Sequence, residues 1–438
     1  VNLPSGVHML DLAGSGDDLS ANGDLDLTRP FRIVGTGFPA IRQQADDRVL
    51  DVHPGGSLTL NGLRVEQGDA AGDGGGVRAV AADVELVGSE VRLSHATGMG
   101  GGLFLNGGTF TMVDSSVRSN HGAGGGGGVS ASRVVIDRSS FAQNTTFGGS
   151  GSALAITDLG GSSTIAATTI GENNGPGATV LAAGALAITD TTFVGNTAAW
   201  AVHGVGSATV GNSIVLSKTA AGGCRGDVTS LGNNLQSGTS CAFAGPNDVQ
   251  STVPVVDKVE EVGLQLRFRP IAGPALDAGG NCAALDQVGT ARPIDADNDG
   301  VATCDRGAVE APLTPLFLAV DTTVDAVDVD PGDGACATAA DECSLRAAVQ
   351  ETNAWPTADT IHLDPATTYE LTLAGASEDA AATGDLDITD ALVIASELEG
   401  GPVSTVVTAL DNDRAFDVHA SSGAVELLRL KISGSQAP

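Results

Sequence analysis

Positive charge is what this sequence has least of. Lysine and arginine together number 21 against 53 acidic residues, for a net charge of −32 at pH 7. Lys218, Lys258 and Lys431 are the whole lysine complement. Such a chain repels nucleic acid and anionic lipid and favours cations or basic partners, so a nucleic-acid role is disfavoured. Aromatic residues are also scarce, with one tyrosine and two tryptophans, yet 42% of the chain is hydrophobic, too much for a disordered glycine-rich linker. No apolar run approaches the ~18 residues that cross a bilayer as a helix, since Gly184 and Asp190 break the most apolar stretch. No Cys-x-x-Cys occurs and no histidine stands where it could complete a tetrahedral site, which disfavours zinc at the cysteines. The first residue is Val1, with no basic-then-apolar leader, so any secretion signal lies outside this sequence or was removed.

What the chain has is glycine, 61 residues of it, much of it in a repeated paragraph. Gly74-Gly75-Gly76-Val77 returns as Gly100-Gly101-Gly102-Leu103 and Gly126-Gly127-Gly128-Val129, a spacing of 26 residues. About a dozen residues after each glycine run come two apolar residues five apart: Leu86/Val91, Met112/Val117 and Ile136/Phe141, then Ile165/Ile170 and Ile188/Phe193. A polar residue closes most units, at Ser94, Asn120, Asn144, Asn174 and Asn196. A unit of this size cannot bury an apolar face alone and must stack on its neighbours. Each unit returns to the same point in the same direction, so neighbouring strands run parallel, and the expected fold is an all-β parallel β-helix. Leu86, Met112, Ile136, Ile165 and Ile188 should form one apolar ladder, and Val91, Val117, Phe141, Ile170 and Phe193 another. The glycines should mark tight turns or backbones too close for a Cβ. The left-handed hexapeptide form and the nine-residue calcium-binding roll are disfavoured, because neither period appears.

Residues 1–216 read as coils, beginning with short period-two strands such as Asp24-Leu25-Asp26-Leu27. Residues 217–312 are irregular and turn-rich, as a cap that ends a solenoid should be. At 313 the chain begins again. Gly384-Asp385-Leu386-Asp387-Ile388-Thr389 repeats Gly23-Asp24-Leu25-Asp26-Leu27-Thr28, and Arg414-Ala415-Phe416-Asp417-Val418-His419 repeats Arg48-Val49-Leu50-Asp51-Val52-His53. Residues 313–438 therefore read as the start of a second, tandem unit. One helix is expected, over 344–353, with Ser344 as N-cap, apolar Leu345, Ala348 and Val349, and Pro356 beyond its end.

The six cysteines fall as sequence neighbours: Cys224 with Cys241, Cys282 with Cys304, Cys336 with Cys343. Close pairs suggest local disulfides and an oxidising compartment, each bond contributing ~2–4 kcal/mol. Free buried thiols are the alternative.

Two stretches resemble known families. Cys343-Ser344-Leu345-Arg346-Ala347-Ala348-Val349, followed by Asn353, is similar to the Cys-Ser-Leu-Arg-Glu-Ala segment of bacterial surface β-helix proteins, departing from it at Ala347. The series Asn212 to Val215, Cys224, Gly232 to Leu235, Cys241, Pro274 to Gly279, Asp286-Gln287, Arg292-Pro293 and Cys304 to Glu310 resembles the choice-of-anchor Q domain. The coils resemble right-handed parallel β-helix repeats. These resemblances imply a right-handed solenoid in tandem copies on an exported, extracellular or bacterial cell-surface protein, and they imply no particular activity.

β-Helices also carry pectin-degrading enzymes, which need facing carboxylates or a basic cluster. Here Asp17-Asp18, Asp46-Asp47, His121-Gly122 and His203-Gly204 are isolated pairs, better explained as surface turns, and no basic cluster lines the coils. The favoured function is a non-catalytic adhesion or display module that presents its faces to a glycan, matrix or surface protein. A polysaccharide lyase or glycoside hydrolase, and a plain spacer, are the alternatives. The sharpest motif is Asp295-x-Asp297-x-Asp299-Gly300, where hard oxygens at alternate positions, the Val301 carbonyl and Asp305 would suit calcium. Arg306 stands where the usual closing glutamate is expected, so an acidic turn braced by Cys282 and Cys304 explains the pattern equally well. Asp24/Asp26 and Asp385/Asp387 are expected as outward positions of strands whose Leu25 and Leu386 point inward, and His53 and His419 as loop histidines with satisfied rings.

Overall fold

The computed structural model describes residues 1–14, 20–218, 222–262, 264–296, 301–355, 357–375, 378–396, 405–409, 414–419 and 423–434, without the side chains of 255 and 258–262. Among the described residues it is a nearly all-β parallel solenoid of about 14 turns with one short helix. The turns fall into two compact units, residues 1–294 with 302–311, and residues 295–301 with 312–438.

In the first unit each coil contributes a strand to three parallel ladders. The first stacks Ile33, Leu60, Leu86, Met112, Ile136, Ile165, Ile188 and Val210 in register. The second stacks Ile41, Val65, Val91, Val117, Phe141, Ile170, Phe193 and Val215. Both columns are buried in one core, so the apolar pairs five apart are the inward residues of two strands either side of a bend. Burying each such side chain stabilises by ~1.5–3 kcal/mol. The third ladder, Leu25–Leu27, Leu50–Val52 and Val77–Val80 followed by the front of Leu103–Val113, closes each coil.

The triple glycines carry two different constraints. Gly74, Gly100 and Gly126 have φ of +72°, +68° and +58°, the left-handed region that a side chain disfavours. The middle glycine lies against the next coil. A Cβ on Gly101 would come within 2.2 Å of the His121 carbonyl carbon and 2.4 Å of the Gly127 oxygen.

Polar columns finish the bends. Asn144 donates through Nδ2 to the Val117 carbonyl and to Asn173 Oδ1, while its own Oδ1 accepts from the backbone and the side chain of Asn120. The column runs from Ser94 through Asn120, Asn144 and Asn173 to Asn196. Its fourth member is Asn173; Asn174, which the sequence suggests, instead bonds Thr197 on the surface. At the preceding bend Ser89, Ser115, Ser139 and Thr168 do the same work with hydroxyls.

The coil register continues beyond 216: Cys224–Gly232 pairs with Trp200–Gly211, and Leu235–Gln236 with Ile214–Val215. Cys241 and Phe243 then join the end of the core. The chain next doubles back as an antiparallel hairpin, Val255–Val262 with Gln265–Ala272, whose Leu266 and Phe268 pack on Ala142 and Val194 of the second ladder. Residues 275–294 and 302–310 follow as a strap along the side of the coils. Cys224–Cys241, Cys282–Cys304 and Cys336–Cys343 are disulfides, the pairing expected from their spacing.

In the second unit, Phe317–Ala319, Asp359–Leu363, Leu392–Ser396 and Val425–Leu428 form one parallel ladder. Thr368–Leu371, Thr405–Ala409 and Leu430–Ser433 form another, and Leu386–Ile388 pairs with Phe416–Val418. Helix α1, Leu345–Ala354, starts as expected at Ser344, whose hydroxyl accepts from the Ala347 N–H at 3.0 Å. It sinks Leu345, Ala348 and Val349 into this unit's core. Arg346, fully buried, bonds Asp325 and the carbonyls of Ala381, Gly384 and Asp385, and Asn353 ties the helix to Asp387 and Thr389. Ala347 is also fully buried. Among the described residues no helix is long and apolar enough to cross a membrane.

Candidate functional site

Chemistry on a coil needs polar groups that face outward and are not already bonded. On the outer face of the second ladder, Glu66 accepts from Arg42 and Arg92, and Glu90 from Arg64 and Arg118. Both glutamates are fully buried beneath the guanidinium stems. Burial pushes the Glu66 carboxyl up, and the hydrogen bonds from Arg92 and Arg42 outweigh it, so it stays below the usual glutamate range. This is an ion-paired lattice across successive coils.

The strap attaches by the same means. Arg292 Nη1 pairs with Asp190 at 3.1 Å and Nε with Glu310 at 3.0 Å, while Nη2 donates to the Gly307 carbonyl. Gln287 takes the Thr169 hydroxyl and donates to Gln265 and the Leu266 carbonyl; Thr192 accepts from the Ala308 N–H. Asp305 is buried, with its two oxygens accepting from the N–H groups of Asp277 and Ala311. Burial dominates its environment and pushes its pKa up to about 7. Burial likewise raises Asp190 and Glu310.

Of the calcium-loop residues, Asp297 and Asp299 lie outside the described residues, as do Asp17 and Asp18. Val301 is exposed, and Asp305 is turned into the strap as above. A cleft of about 450 Å³ opens beside it, lined by Asn247, Asp248, Asp277, Thr303 and Arg306. Arg306 is buried at its base and donates to the carbonyls of Ala278 and Asn247. His121 and His203, the isolated histidines, sit in ring contacts: His121 between His95 and Phe147, and His203 beside Trp200.

Among the described residues carboxylate and imidazole also meet outside the strap, at His95 Nδ1 with Asp69 Oδ1 at 2.6 Å and at two further places. Parallel register places Asp26 beside Asp51 on the third ladder, and His53 Nε2 reaches back to Asp26 Oδ1 at 2.7 Å. The second unit places Asp387 beside Asp417, with His419 Nε2 at 3.3 Å from Asp387 Oδ1. The expectation that Leu25 and Leu386 point inward holds, since both join their cores. The aspartates beside them are, however, buried rather than solvated. Asp24, at 3% exposure, is pushed up to about 6 by burial and by Asp47, against the pull of Arg48. These clusters could hold a metal ion: Asp26, Asp51 and His53 offer ligand atoms within 4.8 Å of one another, and so do Asp385, Asp387 and Asp417, or Asp379, Asp387 and His419. Sequence reasoning sees the repeated Asp and His but not their meeting, because the residues that meet are 25 or more apart. The repetition itself is the signal that could have found them.

No family model matches the chain, and no curated protein matches it. Among solved structures it is similar to the pectate lyase Pel9A, at 14% identity over 71% of this chain and 87% of that one, with a TM-score of 0.39. It is also similar to the PL6 family alginate lyase AlyGC, at 11% identity over 100% of this chain and 72% of that one, with a TM-score of 0.18.

Proposed function

We propose that the chain is an exported or cell-surface β-helix module that works in adhesion or display without catalysis, offering its faces to a glycan, matrix component or surface protein. The observation that supports this best is the state of the outward carboxylates. Glu66 and Glu90 each lie under two arginines, and Asp190, Asp305 and Glu310 are held by Arg292 or by backbone N–H groups inside the strap. Groups held this way stiffen a scaffold and are poorly placed to exchange protons with a polymer. Three disulfides agree with an oxidising, extracytoplasmic setting. The sequence resemblance to surface β-helix proteins and to the choice-of-anchor Q domain belongs to the same proposal. So does a weak calcium site at Asp295, Asp297, Asp299 and the Val301 carbonyl, which rests on the sequence pattern and requires a lower melting temperature in chelator.

A second reading, a polysaccharide lyase or glycoside hydrolase, draws on Asp26, Asp51 and His53 converging between neighbouring coils. A glycan array screened with the soluble chain, followed by product assays on every polymer bound, separates the two. Binding without product supports the display module, and turnover overturns it.

A further inference from the structure

We propose that each unit carries a divalent-cation site of mixed oxygen and nitrogen ligation: Asp26, Asp51 and His53 in the first, Asp379, Asp387 and His419 in the second. The argument begins with register. Residues directly opposite in a parallel ladder sit one strand spacing apart, ~4.8 Å, so Asp26 and Asp51 present their carboxylates side by side. Two such groups out of water repel unless a positive charge stands between them.

Asp26 and Asp387 are bonded in the same way. Asp26 accepts the Ser20 N–H through Oδ2 at 2.8 Å and meets His53 through Oδ1. Asp387 accepts the Ala381 N–H through Oδ2 at 2.9 Å and meets His419 through Oδ1. In each case the aspartate is fixed by a loop and the imidazole is aimed at its free side.

A separate observation points to a missing positive partner. Asp51 is 3% exposed; its Oδ2 takes Arg78 at 2.7 Å and Arg48 at 3.2 Å, but its Oδ1 is buried with no hydrogen-bond donor among the described residues. Asp47, equally buried, has its Oδ2 in the same condition. A buried acceptor without a donor costs about 1–3 kcal/mol, more when charged. Among the described residues, the cationic partners of Asp24, Asp26, Asp47 and Asp51 are Arg48, Arg78 and the His53 imidazole. The His53 ring reaches one of these oxygens, Asp26 Oδ1, through Nε2 at 2.7 Å. A cation satisfies Asp26, Asp51 and Nε2 together.

The donor set selects the ion. Calcium takes six to eight oxygens and rarely an imidazole, whereas carboxylate with neutral imidazole suits zinc and its neighbours. Three protein ligands leave room for water, as at an open zinc site.

The test is zinc titration of the intact chain by calorimetry and by metal analysis after gel filtration, with cobalt as a spectroscopic substitute. Two equivalents are expected, one lost in His53→Gln, the other in His419→Gln, and both in the double variant. Because Asp51→Asn releases two arginines and risks the fold, the histidine variants carry the test, with circular dichroism confirming that they fold. The ring pair at His95 and His121 is the obvious competitor, and His95→Gln/His121→Gln should keep both equivalents. No binding tighter than about 1 mM, zinc that survives in the His53→Gln/His419→Gln variant, or zinc lost with His95 and His121, overturns the proposal. Since the readout is metal uptake, its outcome is independent of whether the chain binds or cleaves any glycan.

Discussion

Asn144 Nδ2 donates to Asn173 Oδ1 at 3.0 Å, one coil further along, and the same amide also holds the Val117 carbonyl at 2.9 Å. A single side chain thus satisfies backbone on the preceding coil and passes a hydrogen bond to the next. In a solenoid, where coils touch only their neighbours, such a column sets how strongly each interface is held.

Asn144→Ala should therefore be severe. It leaves the Asn120 N–H and side-chain amide and the Val117 carbonyl without their buried partner. The expected loss is about 2–4 kcal/mol, summing the usual cost of buried unsatisfied groups. Urea unfolding would measure it, and Asn174→Ala, one residue outside the column, should cost much less.

The glycine runs predict a contrast between near neighbours. Gly101→Ala puts a Cβ on the backbone of His121 and Gly127 and should prevent folding of the coil stack. Gly72→Ala meets nothing within 4 Å and should leave the melting temperature within a few degrees. Thermal melts followed by circular dichroism decide it, and equal effects at both sites would contradict the close-approach account.

Glu66→Gln removes the charge between Arg42 and Arg92 while keeping the shape. Breaking a buried pair by removing one partner costs about 3–5 kcal/mol. Because Glu66 is buried, the wild-type pairing should resist salt, and a melting temperature that falls steeply with added chloride would argue against it.

The strap makes stability depend on pH in an unusual direction. Asp305, raised to about 7, and Glu310 and Asp190, raised by burial, bind protons more tightly folded than unfolded. Their contribution is complete below the unfolded carboxylate range and is lost as pH rises through the folded value. Between about pH 4 and pH 7 the Asp305 contribution should fall with increasing pH, and Asp305→Asn should flatten that slope. Glu66, held low, works oppositely and loses its contribution only as pH falls towards its lowered range. Melting temperatures of both proteins across that window test the sign.

The sequence makes the spine legible because a coil repeats its inward residues at a fixed interval: Leu86, Met112 and Ile136 stand in the register their spacing implies. The column of asparagines is legible to within one residue. Both Asn173 and Asn174 fit by composition, and only the bend geometry decides which turns inward. The Glu66–Arg92 pair and the strap are not legible, since an Arg-x-Glu triplet reads as an ordinary solvated strand until stacking puts opposite charges together. Asp26 and His53 are visible as repeated letters, but their proximity is a property of the register.

The most direct test of the display-module account is a single incubation of the purified chain with a panel of acidic and neutral polysaccharides, reading retention and new chain ends together. The account predicts retention of at least one polymer, by a chain whose Asp26, Asp51 and His53 can be substituted without changing the number of ends. Release of unsaturated or reducing ends that stops in Asp26→Asn or His53→Gln would contradict it and make the chain an enzyme.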